Sequence, residues 1–218
     1  MIICNGSPRG KQSNTQVLLE AFMDGLRSEG FTDMMVYHLS RPSERRKAAA
    51  QFPGAGKFLL AFPLYTDSMP GIVKEFMEML APWKGREENP DMGFLVQSGF
   101  PEPAHSRYVE RYLRKLTHRL HSRYLGTIVR GGVEGIRVMP GWMTRKLRRR
   151  MMLLGKNFAV NGVFDRRLIH RLAPRERMSK RQIRLFRWMQ NTSMANYYWN
   201  KQLRENDAYA LRDERPYA

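Results

Sequence analysis

The chain has a single cysteine, Cys4, among its 218 residues, which excludes an internal disulfide framework and any cysteine-held iron–sulfur cluster. It lacks an apolar stretch approaching the roughly 18 uninterrupted residues that a membrane-spanning helix requires. Met1-Ile2-Ile3-Cys4-Asn5-Gly6 carries no basic segment ahead of a long apolar run, so no secretory leader is expected and the cytosol is the expected compartment. The five histidines, at 38, 105, 118, 121 and 170, show no zinc-type spacing. His118 and His121 lie i, i+3 on a predicted helix without a third ligand, the pattern of a solvated face, so no metal site is expected. Neither a Ser-His-Asp set, a pair of carboxylates nor an activated thiol stands out, and no catalytic side chain is assigned. Cys4, inside a short apolar run, reads as a small buried hydrophobe.

What is present describes an ordinary folded chain: 42% of the residues are hydrophobic and 27% charged. The length suits one α/β core with an appendage. The net charge of +18 is unevenly spread, since residues 1–141 hold 19 Lys+Arg against 14 Asp+Glu, and residues 142–218 hold 19 against 6. A basic end of this kind suits nucleic acid or an anionic membrane surface. It also suits a solvated or subunit-contacting helix face, and the steering of anionic cofactors.

Along the chain, apolar runs at Ile2–Asn5, Met34–Leu39, Phe58–Phe62, Met92–Val96 and Tyr124–Val129 predict five strands. Helical periodicity at Asn14–Ser28, Ser43–Gln51, Gly71–Leu80 and His105–His121 fills the gaps between them. Alternation of this kind predicts right-handed βαβ units and a parallel sheet. Beyond Pro140 only helical patterns remain. Met143, Leu147, Met151 and Leu154 form one stripe; Leu185, Trp188, Met189, Thr192, Trp199 and Leu203 form another, in a second long helix after Pro174. The expected division is a core at 1–141 and a basic helical extension at 142–218, packed on the core or on a dimer partner. The run Arg145-Lys146-Leu147-Arg148-Arg149-Arg150 carries the nucleic-acid or anionic-surface alternative, a solvated or subunit face being favoured.

The chemistry is concentrated in Gly6-Ser7-Pro8-Arg9-Gly10-Lys11-Gln12-Ser13-Asn14-Thr15, between the first strand and the first helix. A helix N-terminus presents unpaired N–H groups and partial positive charge, so a phosphate binds there readily. Ser7, Ser13, Asn14 and Thr15 carry side-chain donors for phosphate oxygens and Arg9 a charge-assisted one. An ordinary helix cap explains one such residue but not five. The segment is neither a Walker loop nor a G-x-G-x-x-G turn.

It resembles the GSPR…SNT phosphate loop of the flavodoxin-like NAD(P)H-dependent FMN reductases. The resemblance continues through Pro63-Leu64-Tyr65-Thr66-Asp67-Ser68-Met69-Pro70-Gly71 and Val73-Lys74-Glu75-Phe76, similar to the family's P-x-Y-x-x-x-x-P-G-x-x-K-x-F segment. Ser98-Gly99-Phe100-Pro101-Glu102 matches in kind. The likeness covers residues 2 to about 140, and Tyr197-Tyr198-Trp199-Asn200 through Pro216-Tyr217 looks like the closing stretch of other members of the group.

The resemblance implies a flavodoxin-like doubly wound five-stranded parallel sheet, order 2-1-3-4-5, with a C-terminal helical extension. In such sheets the ligand sits where strand order reverses, here between strands one and three. The two loops richest in Gly, Pro and hydroxyl residues follow those two strands. The resemblance further implies FMN held by Ser7, Arg9, Ser13, Asn14 and Thr15 at its phosphate. Pro63, Leu64, Tyr65, Thr66, Asp67 and Ser68 would run along its ring, with Ser98 and Gly99 bordering the pyrimidine end. An unpaired carboxylate beside reduced flavin is unfavourable, so Asp67 is expected to point away; Gly131-Gly132 is read as a turn. NAD(P)H is the implied hydride donor and a quinone, nitro or azo compound, or free flavin the acceptor. A homodimer is expected, with Trp188, Tyr197, Tyr198 and Trp199 suited to an interface. A flavodoxin-like electron carrier is the alternative within the same fold, although such carriers are usually acidic.

Overall fold

The computed structural model describes residues 1–173, 175–190 and 196–214. By contact the chain divides into two compact units, residues 1–177 and 178–218. The first unit contains a five-stranded sheet of β1 (Ile2–Asn5), β2 (Met35–His38), β3 (Lys57–Pro63), β4 (Asp91–Gln97) and β5 (Tyr124–Arg130), in the order β2-β1-β3-β4-β5 with every pair parallel. This is the flavodoxin-like order, and the chain has that fold.

Helices cover both faces, which is why the central strands are apolar throughout rather than alternating. On one face α2 (Pro42–Ala50), α3 (Gly71–Met79) and α4 (Arg107–Arg119) meet Phe58, Leu60 and Phe62 of β3 and Met92, Phe94 and Val96 of β4. On the other, α1 (Asn14–Ser28) and α5 (Gly141–Asn161) cover Ile3, Leu59, Ala61 and Leu95. Each fully buried Leu or Phe contributes on the order of 1.5–3 kcal/mol relative to exposure. The α1–α5 contact is unusually close because glycines meet there: a Cβ on Gly155 would lie 2.0 Å from the Phe22 carbonyl oxygen, and one on Gly25 2.0 Å from that of Met152. Phe22, Phe158 and Phe164 interlock beside this contact, with centroids 4.9–6.1 Å apart.

Of the Met143–Leu154 stripe, Leu147 packs against the core as a partly buried residue. Met151 and Leu154 are buried against the sheet layer while Met143 is exposed. Helix α5 lies within the same compact unit as the sheet, so contact divides the chain after Arg177 rather than near 141. A short α6 (Arg166–Leu172), capped by the Asp165 carboxylate accepting from the amides of Arg167 and Leu168, follows in that unit. Its seven residues are too few to announce a period.

The second unit contains α7 (Lys180–Gln190) and α8 (Tyr197–Glu205). Of the long helix expected after Pro174, Lys180–Gln190 and Tyr197–Glu205 are helical, and residues 191–195 between them lie outside the described residues. Trp188, Tyr197 and Trp199 are exposed; Thr192, Pro216, Tyr217 and the side chains of Met189 and Tyr198 lie outside the described residues.

Candidate functional site

The loop after β1 is organised by Asn5, a buried polar residue closing an apolar strand. Its Nδ2 donates to the Gly10 carbonyl (3.1 Å), Ser13 Oγ (3.2 Å) and Gln16 Oε1 (2.9 Å), and its Oδ1 accepts the Ser7 amide (2.9 Å). The chain can turn here only with small residues. A Cβ on Gly6 would meet Val73 Cγ2 at 2.4 Å, and Gly10 sits at φ +51°. Ser13 Oγ donates to the Gly10 carbonyl at 2.6 Å and accepts the Gln16 amide at 3.1 Å. Its proton is committed inside the loop, and Ser13 acts as the N-cap of α1.

Ser7 differs. Its side chain is buried and its Oγ has no hydrogen-bond partner among the described residues, although a buried hydroxyl left unpaired costs about 1–3 kcal/mol. Thr15, also buried, accepts from Gln97 Nε2 at 3.2 Å, leaving its own proton to give. The amides of Asn14 and Thr15 stand in the first turn of α1, where no intrahelical acceptor exists. Asn14 Nδ2 donates to the Glu134 carbonyl at 2.8 Å, and Arg9 is exposed at the mouth of the loop. An orphaned buried donor, free helix-start amides and a nearby guanidinium fit a phosphate group.

The loop after β3 is built from different principles. Pro63 ends the strand, and Leu64 is buried with its amide on the Gln97 carbonyl at 2.7 Å. Tyr65 and Ser68 then exchange two backbone hydrogen bonds of 2.9 Å across a two-residue turn whose central residues, Thr66 and Asp67, have φ +47° and +58°. This mirror-image turn normally takes Asn or Gly. A β-branched residue there stores strain of about 1–3 kcal/mol. Tyr65, 42% exposed, presents its ring at the surface. The Asp67 carboxylate lies 3.3 Å from His105 Nδ1, and the His105 ring stacks on Phe100 at 4.5 Å. The acid expected to point away is thus tied to a residue that sequence reasoning missed.

After β4, Ser98 is buried, with its amide on the Arg130 carbonyl (3.0 Å) and its Oγ on that of Phe100 (3.2 Å). Gly99 is exposed; a Cβ there would come within 3.3 Å of Glu134 Oε2. Gly131 does more than turn the chain, because a Cβ would fall 2.4 Å from the Phe100 carbonyl oxygen. The segment after β5 also docks on the first loop: besides the Asn14–Glu134 bond, Arg137 Nη1 donates to the Gln12 carbonyl at 2.5 Å. The residues named from sequence after β1, β3 and β4 are therefore stitched together at the carboxyl end of the sheet. Asn5, Gln97, His105 and Arg137 complete the set. Of these only Asn5, polar at the end of an apolar run, left a readable signal. Cys4 is fully buried, and burial, with secondarily the Glu44 carboxylate, pushes its thiol well above its usual value.

No protein-family model and no curated protein matches the chain, but solved structures do. An NADPH-quinone reductase from P. pentosaceus aligns at TM-score 0.53 and 17% identity, over 73% of this chain and 97% of that one. An NAD(P)H:quinone oxidoreductase from Methanothermobacter marburgensis aligns at TM-score 0.55 and 16% identity, over 72% and 96%. An FMN-dependent NADH-azoreductase from Bacillus anthracis, solved with FMN, aligns at TM-score 0.54 and 13% identity, over 72% and 98%. At these identities the likeness is one of fold.

Proposed function

We propose that the chain is an FMN-dependent oxidoreductase of the flavodoxin-like NAD(P)H-dependent FMN reductase family. It takes hydride from NAD(P)H and passes electrons to a small acceptor such as a quinone, a nitro or azo compound, or free flavin. The observation that carries this reading is the buried, unpartnered Ser7 hydroxyl beside the free amides at the start of α1. It lies at the strand-order reversal where such sheets bind ligands. The solved structures described above support it, since they include quinone and azo reductases and one holds FMN.

Ser7, Thr15, the amides of Asn14 and Thr15, and Arg9 hold the phosphate; Ser13 serves by fixing the loop. Tyr65 packs on the ring, the Thr66–Ser68 backbone lines its edge, and Ser98 and Gly99 border the pyrimidine end. When bound, the flavin supplies the hydride-accepting atom, and the protein supplies binding, orientation and electrostatics. Pairing with His105 keeps the Asp67 charge off the ring. The reading includes a cytosolic homodimer in which helices after Pro140 provide part of the contact. Monomeric light scattering at micromolar concentration would remove that element alone.

Titration of the protein with FMN and with riboflavin tests the site. FMN is expected to bind at micromolar concentration or below and riboflavin much more weakly, and NADPH should bleach the bound flavin. Equal affinity for the two would sink the phosphate assignment, and bound flavin that NADPH leaves oxidised would sink the reductase.

A further inference from the structure

A second cavity lies beside the edge strand β5. A cavity of about 830 Å³ runs along the outer side of β5, between α4 and α6, within the size range of small-molecule sites. Its floor is apolar: Leu125, Gly126 and Val129 of β5 with Ile169 and Ala173. Gly126 sits at φ +126° beside an irregularity in the β4–β5 register, and a Cβ there would approach Ile169 Cδ1 to 3.3 Å. The missing side chain keeps that floor open.

The walls are cationic, and their charges are not balanced. Both carboxylates lining the cavity are spent on one residue, since Arg107 binds Glu110 and Glu176 together. Arg114, Arg166 and Arg175 also line it, and among the described residues none of the three is within ion-pairing distance of a carboxylate. Arg114 lies over the Tyr124 ring, 5.3 Å from its centroid, and the Tyr124 hydroxyl meets Thr127 Oγ1 at 2.6 Å. A planar guanidinium matches a carboxylate with two parallel hydrogen bonds, and apolar surface beneath it calls for an apolar body attached to that carboxylate.

We propose that this cavity is a binding site for an organic carboxylate with a flat or narrow apolar body, held at its charged end by an arginine of the α6 side, Arg166 or Arg175. It includes none of the residues assigned to the flavin and does not depend on the flavin reading. It gives part of the excess positive charge a specific use.

Calorimetric titration with 2-naphthoate tests it, on the full chain both saturated with FMN, so that the phosphate loop is filled, and without FMN. One equivalent should bind equally in both, and the neutral 2-naphthamide at least tenfold more weakly. Arg166→Ser with Arg175→Ser, both at exposed positions, should weaken naphthoate at least tenfold while leaving the melting temperature and FMN affinity unchanged. Arg114→Gln gives an independent variant on the opposite wall and should weaken it severalfold. Four results would overturn the assignment: no binding, equal affinity for the amide, indifference to the arginine substitutions, or displacement by equimolar inorganic phosphate. Failure to bind FMN would leave the naphthoate result standing, so the two readings fail separately.

Discussion

The loops after β1 and β3 stand side by side at the same end of the sheet, yet they are held in opposite ways. The first is internally bonded through its buried residues, Asn5 Nδ2 donating to Ser13 Oγ and Ser13 Oγ to the Gly10 carbonyl, while the buried Ser7 hydroxyl has no partner among the described residues. The second is exposed and strained, with two non-glycine residues in the left-handed region and an outward ring. A rigid, prepaid loop suits a phosphate, whose geometry never changes. A loop that stores strain suits the reacting end of a ligand, where contacts must form and release. The Asp67–His105 pair bracing that turn is exposed on both sides and worth no more than about 1 kcal/mol.

Substitutions that separate organisation from binding sharpen this contrast. The largest effect is expected for Asn5→Ala, which strands the Ser7 amide and the Gln16 side chain together. Stability should fall by about 2–4 kcal/mol in urea denaturation, and FMN binding should be lost with it. A variant within 1 kcal/mol of the parent would mean that the loop is held by something else. Ser7→Ala should behave the other way round: FMN affinity falls by roughly 1–3 kcal/mol, while the FMN-free protein melts no lower, because an unpaired buried hydroxyl has been removed. Loss of FMN-free stability with unchanged FMN affinity would assign Ser7 to the scaffold.

Ser13→Ala completes the comparison. Removing the cap should cost about 1 kcal/mol of FMN-free stability and shift the ratio of FMN to riboflavin affinity less than Ser7→Ala does. The smallest effect is expected at Thr66→Gly, where relief of the positive φ and the added freedom of the unfolded chain nearly cancel, for a gain of a few tenths of a kcal/mol. Riboflavin and FMN should weaken together there, with their ratio unchanged. A changed ratio would show that the second loop reaches the phosphate.

Most of the strands and helices of residues 2–130 were legible because burial on both faces of a parallel sheet demands continuous apolar runs, and covering helices demand one apolar stripe each. Phe58–Phe62 and Asn14–Ser28 show both rules at work. The loop after β1 stood out as a candidate anion site for a related reason: a helix start crowded with hydroxyls has few structural uses. Which hydroxyl is left without an internal partner was not legible. Ser7 and Ser13 are the same residue type six positions apart, and only the folded loop gives one an internal acceptor and leaves the other without.

By itself the sequence determined the order of elements, the place of the glycine- and hydroxyl-rich turn after β1 and the charge asymmetry, since these follow from local periodicity, turn chemistry and composition. Tertiary structure alone decided that α5 belongs to the sheet layer, because that depends on Gly25 and Gly155 meeting across 130 residues of chain. It alone brought His105 to Asp67, Glu134 to Asn14, and to one cavity beside β5 three arginines that pair with no carboxylate among the described residues. Contacts between residues distant in sequence leave no trace in spacing, and they are what turn a list of polar residues into sites.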